Sequence, residues 1–208
     1  LKKFDITKKE QWRKNIREKY DLNKFRTVFG FVGRVVPEKG INEMLEAFME
    51  LNRPDACLLL VGPCDEVERL NTNLYSKSLQ AENIVYVGRQ PNPQEFFSAM
   101  DFMLLPSYRE GFGMVVLEAG ALGTPSIISN INGPTEFVKD SYNGIICDVK
   151  SAESLKNALA KAYNMSELQY KEMSDNSYCV AKDKFDSEKF KQLFLQDREE
   201  LLLKAKKL

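Results

Sequence analysis

The sequence predicts an α/β chain built on a parallel sheet with helices on both faces. Two observations predict it. Short apolar runs rich in β-branched residues alternate with helical patterns as far as Asp148, as parallel strands joined by helical crossovers require. Beyond Asp148 the pattern turns purely helical. At 208 residues and 43% hydrophobic content the chain can bury a good core, and a single large domain fits best.

Taken in order, an opening helix carries the lone Trp12 as a core or interdomain anchor, with Thr7 and Glu10 in capping positions. Strands are expected at Val28–Val32, Cys57–Val61, Ile84–Val87, Phe102–Leu105, Ser126–Ser129 and Ile145–Asp148. Between them, helices are expected at Asn42–Leu51, Glu66–Gln80, Pro93–Met100 (Asn92 and Glu95 forming the cap) and Gly113–Leu122, with a short turn at Thr135–Val138. Later helices present Leu155, Leu159 and Ala162 on one face, start again at Ser166 with Gln169, and carry Phe185, Phe190, Leu193 and Phe194. Six strands with crossovers make a Rossmann-like sheet. The chain then divides into an N-terminal helix and interdomain segment (1–26), a ligand-binding Rossmann-like region (27–150) and packing helices of the same domain (151–208).

Composition excludes several kinds of chemistry. Thirty basic and thirty acidic residues cancel, leaving no global electrostatic footprint for nucleic acid. The four cysteines form no CxxC pair, which argues against a zinc site or a disulfide framework and for a reducing, cytoplasmic setting. Histidine is absent, removing Ser-His-Asp and Cys-His nucleophiles and His-ligated metals. No Asp-x-Asp occurs, so no metal or other cofactor is expected. No apolar run approaches the roughly 20 residues of a membrane span. The first residue is Leu1, so a piece of a longer protein is expected.

Ligands of open α/β sheets bind beyond the carboxyl ends of the strands, and the glycine-containing loops fall there. Gly33-Arg34-Val35-Val36-Pro37-Glu38-Lys39-Gly40 is neither a dinucleotide fingerprint nor a P-loop. Its two cations before a helix suit a diphosphate, although the same spacing serves two solvated side chains around a turn. Glu110 and Glu118 stand eight positions apart. Between them Gly111-Phe112-Gly113 opens a helix that is apolar on every side through Met114, Val115, Val116, Leu117 and Ala119, with Glu118 its only charge. Desolvating that carboxylate costs several kcal/mol, roughly, unless a polar ligand or fixed donor meets it. Free amides at the helix start favour an anion. In the loop Asn130-Ile131-Asn132-Gly133-Pro134-Thr135-Glu136, Glu136 is explained by ordinary dipole complementarity, and Arg89 after Gly88 reads as a surface residue or a contact to a base.

GRVVPEKG, PSYREGFGMVVLEAGALGTPSI and NGPTEFV followed by Asn143-Gly144 resemble the donor-binding, C-terminal half of glycosyltransferase family 4, the retaining GT-B enzymes also called group 1 glycosyl transferases. The resemblance runs from about Val28 to near Asp148, and more loosely into the C-terminal helices. It implies a cytoplasmic sugar transferase of polysaccharide biosynthesis, using a nucleotide-diphosphate sugar, UDP-linked by preference, and a carbohydrate or lipid-linked acceptor. It further implies a separate N-terminal acceptor-binding domain, with peripheral contact of the full enzyme to a membrane left open and the fragment alone inactive. Arg34 and Lys39 match the pair that neutralises the diphosphate, Glu110 the glutamate facing the donor sugar, and Glu118 the one holding the ribose hydroxyls. Gly33, Arg89, Gly111 and the amides of Phe112, Gly113 and Met114 complete the implied donor site. Catalysis would rest on Arg34, Lys39 and Glu110, the last as a positioning group, or as a nucleophile by analogy with paired-carboxylate glycosidases. Asn132-Gly133 departs from the pair of glycines frequent in the family. Rival readings are a non-catalytic nucleotide- or sugar-binding module and a phosphorylase of the same fold.

Overall fold

A computed structural model describes residues 3–184. Phe185, Phe190, Leu193 and Phe194 therefore lie outside the described residues. Six strands form one sheet: β1 (Thr27–Val32), β2 (Ala56–Val61), β3 (Ile84–Gly88), β4 (Phe102–Leu105), β5 (Ser126–Ser129) and β6 (Gly144–Cys147). Every pairing is parallel, in the order β3-β2-β1-β4-β5-β6. The expected strands are all present, each within one residue at either end.

Successive side chains along each strand enter two different cores. Phe29, Phe31, Leu58, Leu60, Phe102, Leu104, Ile127 and Ile145 join the core beneath α2 (Ile41–Leu51) and α6 (Ala152–Tyr163). Val28, Cys57, Leu59, Val61, Met103, Leu105 and Ile128 join the other, beneath α1 (Lys9–Lys19), α4 (Pro93–Ala99) and α5 (Met114–Gly120). Burial on both faces is what makes these strands read as continuous apolar runs. Trp12 is half-buried against the second core, in keeping with an anchor.

Three local expectations are corrected. The helix foreseen over Glu66–Gln80 splits into a 3-10 turn at Val67–Arg69 and α3 (Thr72–Ser78). Leu70 is extended, and the Asn71 side chain accepts from the amides of Asn73 and Leu74 at 3.1 and 3.2 Å, so Asn71 starts a helix instead of continuing one. At the N-terminus Asp5, not Thr7, caps the first turn, accepting from the Thr7 amide at 3.0 Å. Asn92 precedes α4 but makes no side-chain cap, and Pro93 supplies the helix start. Ahead of α7 (Glu167–Lys184), by contrast, Ser166 and Gln169 do form the reciprocal capping box.

The sheet order reverses between β1 and β4, where adjacent crossovers leave in opposite directions and open a crevice at the strands' carboxyl ends. Gly40 lets the two loops at this crevice touch. It has φ +71°, and a Cβ there would sit 2.1 Å from the Pro106 carbonyl oxygen. Gly40→Ala is expected to cost about 1–3 kcal/mol of stability, because a left-handed alanine and a backbone collision must both be absorbed. Urea denaturation measures this, and a change under about 0.5 kcal/mol, the usual surface scatter, would refute the close approach.

Candidate functional site

The β1–α2 loop and the β4–α5 loop are tied at three points. The Tyr108 amide donates to the Glu38 carbonyl at 3.0 Å, and the Tyr108 hydroxyl donates to Glu43 Oε1 on α2 at 2.7 Å. Burial pushes the Tyr108 hydroxyl well above its usual value, with the Glu43 bond adding to the effect, so it stays a donor. The third tie lies at the crevice itself: Lys39 Nζ is 2.6 Å from Glu110 Oε1, with the side chains 25% and 14% exposed. Ser107 Oγ donates to the same oxygen at 2.8 Å. Ser107 is fully buried, so one carboxylate oxygen is held both by an enclosed hydroxyl and by Lys39.

The other two expected residues stand apart from that pair. Arg34 is largely exposed and bonds to Glu66 instead, at 3.2 Å. With Gly33 and Arg89 it lines a cavity of about 650 Å³ whose walls are Val32, Val61, Pro63, Pro91 and Pro93. Glu118 lines a neighbouring cavity of about 550 Å³ together with Trp12, Asn92 and Gln94, and Pro91 and Pro93 border both spaces. Glu118 is half-buried, and burial pushes its carboxyl above the ordinary glutamate value. Unlike Glu110, it has no hydrogen-bond partner among the described residues.

The helix carrying Glu118 is shorter and less enclosed than its sequence implies. α5 spans Met114–Gly120, and Met114 is 48% exposed in its first turn. Gly111 and Phe112 are exposed as well, and the Phe112 ring packs 5.3 Å from Phe137. The Met114 amide, first in the helix, has no carbonyl above it within the helix, while the Val116 amide donates to the Gly113 carbonyl at 2.9 Å. The loop after β5 is locked on this turn: Gly133 has φ +92°, and a Cβ there would lie 2.3 Å from the Gly111 carbonyl oxygen. Asn132 keeps an ordinary φ, so a side chain in place of the first of two glycines costs the loop nothing. Glu136 is exposed at the far side of that loop.

Sequence reasoning missed Ser107, Glu38 and Glu66. Ser107 lies inside the motif PSYREGFG, where its position after Pro106 reads as turn chemistry. The two acids read as solvated surface charge. Among the described residues no group of three Cys, Asp or Glu side chains is placed to hold a metal ion, and no helix is long and apolar enough to cross a membrane.

What the arrangement offers chemically is an ammonium and a guanidinium at a strand switch point, a helix start, one carboxylate held by two side chains and one with no hydrogen-bond partner among the described residues. The family model described as Glycosyl transferases group 1 matches residues 13–179. Among curated proteins, the capsular polysaccharide biosynthesis glycosyltransferase CapM of Staphylococcus aureus is 28% identical over 176 residues, covering 83% of this chain and 46% of CapM. The chain spans less than half the length of this and other curated relatives it matches. Among solved structures, Anabaena Alr3699/HepE in complex with UDP-glucose superposes with a TM-score of 0.82 at 21% identity, covering 95% of this chain and 56% of that one. The C-terminal domain of the group 1 family protein LpcC from Francisella tularensis superposes with a TM-score of 0.69 at 24% identity, covering 85% of this chain and 92% of that one.

Proposed function

Because the chain belongs to the group 1 glycosyl transferases, we propose that it is the nucleotide-sugar-binding half of a retaining glycosyltransferase of GT-B fold. The observation that carries this reading is the Lys39–Glu110 pair, which joins the two crevice loops across the switch point at 2.6 Å. In this reading the donor diphosphate lies between the β1–α2 loop and the start of α5. Arg34 binds its oxygens through parallel hydrogen bonds, Lys39 adds a compact charge, and the amides of Phe112, Gly113 and Met114 face the sugar and phosphates. Glu118 takes the ribose hydroxyls, which supply the partners its carboxylate lacks. Gly33 lets the backbone approach the ligand, and Arg89 meets the base. The HepE complex named above holds UDP-glucose, which supports a UDP-linked donor here.

Catalysis in the whole enzyme is then electrostatic. Charge develops on the leaving nucleoside diphosphate as the bond from the sugar breaks, and Arg34 and Lys39 stabilise it in place. Lys39 is shared between the phosphates and Glu110, so donor binding draws the ammonium toward the anion and leaves Glu110 Oε1 more open to a sugar hydroxyl. Ser107 keeps that carboxylate oriented throughout. The acceptor, carbohydrate or lipid-linked, would be brought by an N-terminal domain of the same protein working at or near a cytoplasmic membrane face.

Two cations at the diphosphate leave no task for a bridging metal, and none is proposed. Calorimetric titration with UDP and a panel of nucleotide sugars tests the reading, and adding chelator is expected to leave the affinities unchanged. Binding that appears only with Mg²⁺ or Mn²⁺ refutes the role of the two cations. Failure of every nucleotide and nucleotide sugar to bind refutes the donor site.

A further inference from the structure

Arg34 is the end member of a chain of four charges of alternating sign. Its Nη1 meets Glu66 Oε1 at 3.2 Å. Glu66 Oε2 bonds to Arg69 Nη1, and Arg69 Nη2 bonds in turn to Glu38 Oε1. The series closes on the loop where it began, since Glu38 lies between Arg34 and Lys39 in sequence. Its links are unequal. Arg69 is held by two carboxylates, and those same two bonds push its guanidinium further above its ordinary pKa. The Arg34 side chain has one contact through one nitrogen, has no other hydrogen bond or ion pair among the described residues, and is 65% exposed. Arg69 is thus the fixed member and Arg34 the movable one.

We propose that Glu66 is a positioning residue of the donor site: it is the resident counter-ion of Arg34, which the diphosphate must displace, and Arg69 holds it ready for that exchange. The inference rests on the reading that Arg34 takes the diphosphate. An anion arriving at Arg34 meets a guanidinium already engaged, and it also meets a second negative charge on Glu66. Both effects subtract from affinity, because a contact broken on binding is lost from the net gain. An exposed pair of this kind is weak, worth about 1.5- to 5-fold in an equilibrium constant, whereas a charge-assisted bond to a bound ligand is worth about 10- to 150-fold. The exchange therefore runs toward the ligand, with Glu66 setting how tightly. A carboxylate there also keeps Arg34 from bonding elsewhere on the surface while the site is empty.

Titration of UDP into the wild-type chain, Arg34→Ala, Glu66→Gln and the double variant tests this. Glu66→Gln is expected to tighten UDP binding about two- to fivefold, a direction that the loss of a merely structural contact would not give. The gain is expected to shrink when Arg34 is alanine, because the share that comes from freeing the guanidinium has then gone. If Arg34→Ala weakens binding but Glu66→Gln leaves it unchanged or weaker, the counter-ion role fails and the diphosphate reading stands. A gain undiminished without Arg34 also overturns the proposal, since Glu66 would then act by its charge alone. If Arg34→Ala has no effect on UDP, both the proposal and the reading beneath it fall.

Discussion

Asp101→Ala is expected to destabilise the fold by about 3–5 kcal/mol, the usual cost of removing one partner from a buried ion pair. Asp101 lies between α4 and β4 and is only 14% exposed at its side chain. It joins two arginines of α1: Arg13 Nη2 meets Oδ1 at 2.6 Å and Arg17 Nη2 meets Oδ2 at 2.8 Å. Oδ2 also accepts from the Val28 amide at 2.7 Å, at the start of the central strand. One carboxylate therefore ties the opening helix to the middle of the sheet. Both arginines also donate to the last carbonyls of α4, with Arg17 Nε 2.9 Å from Ala99 O. Those carbonyls form the negative end of a helix and offset part of the loss, which places the expected value toward the lower bound. Arg17 is the member that cannot escape, since it is buried, and desolvation pulls its guanidinium below its ordinary pKa while Asp101 opposes the shift. Without Asp101 that charge is stranded. Urea denaturation of the variant, with Asp101→Asn as a control that keeps an acceptor for Val28, gives the measurement. A loss under about 1 kcal/mol would mean that the cluster behaves as a surface pair.

How much of this could be read from the sequence varies with the physics. The strands were legible because burial on both faces leaves no polar residue to break the run, as Leu58, Leu59 and Leu60 illustrate. The start of α3 was not, because periodicity alone carries a helix through Leu70 and Asn71. Only the Asn71 side chain, capping two amides, shows that the backbone has turned. The residue types of the site were legible through the motifs that carry the family resemblance. Their pairing was not: Lys39 and Glu110 are 71 residues apart in sequence, and nothing in either segment says that one bonds to the other. Nor could sequence place Arg34 on Glu66, a contact between an exposed and a half-buried side chain from separate loops. Glu118 is legible as the only charge in an apolar helix. That helix proves partly open at Met114, yet the carboxylate is half-buried and has no hydrogen-bond partner among the described residues, so desolvation still weighs on it, by a smaller margin.

Glu118→Gln and Glu110→Gln are expected to separate the two halves of the donor. Glu118→Gln should weaken UDP and UDP-sugar alike by about 10- to 150-fold, the range for losing a charge-assisted hydrogen bond to a ligand, because ribose is common to both. Glu110→Gln should weaken only the ligand that carries the sugar. Stability without ligand supplies an independent check. The Glu118 carboxyl has its folded-state pKa raised by burial, so protonation favours the fold. Relative stability is then greatest below the unfolded value of about 4.3 and is lost as pH rises through the folded value. At neutral pH the ionised group is a net cost, and Glu118→Gln should melt no lower than the wild type while binding UDP worse. Glu110 differs, because its carboxylate is already held by Lys39 and Ser107, and Glu110→Gln should lower the melting temperature of the ligand-free chain. Titration with UDP and UDP-glucose alongside thermal unfolding of both variants decides the matter. If Glu110→Gln weakens bare UDP as strongly as Glu118→Gln does, the division between sugar and ribose fails. If Glu118→Gln instead destabilises the empty chain, its carboxylate serves the fold and not the ligand.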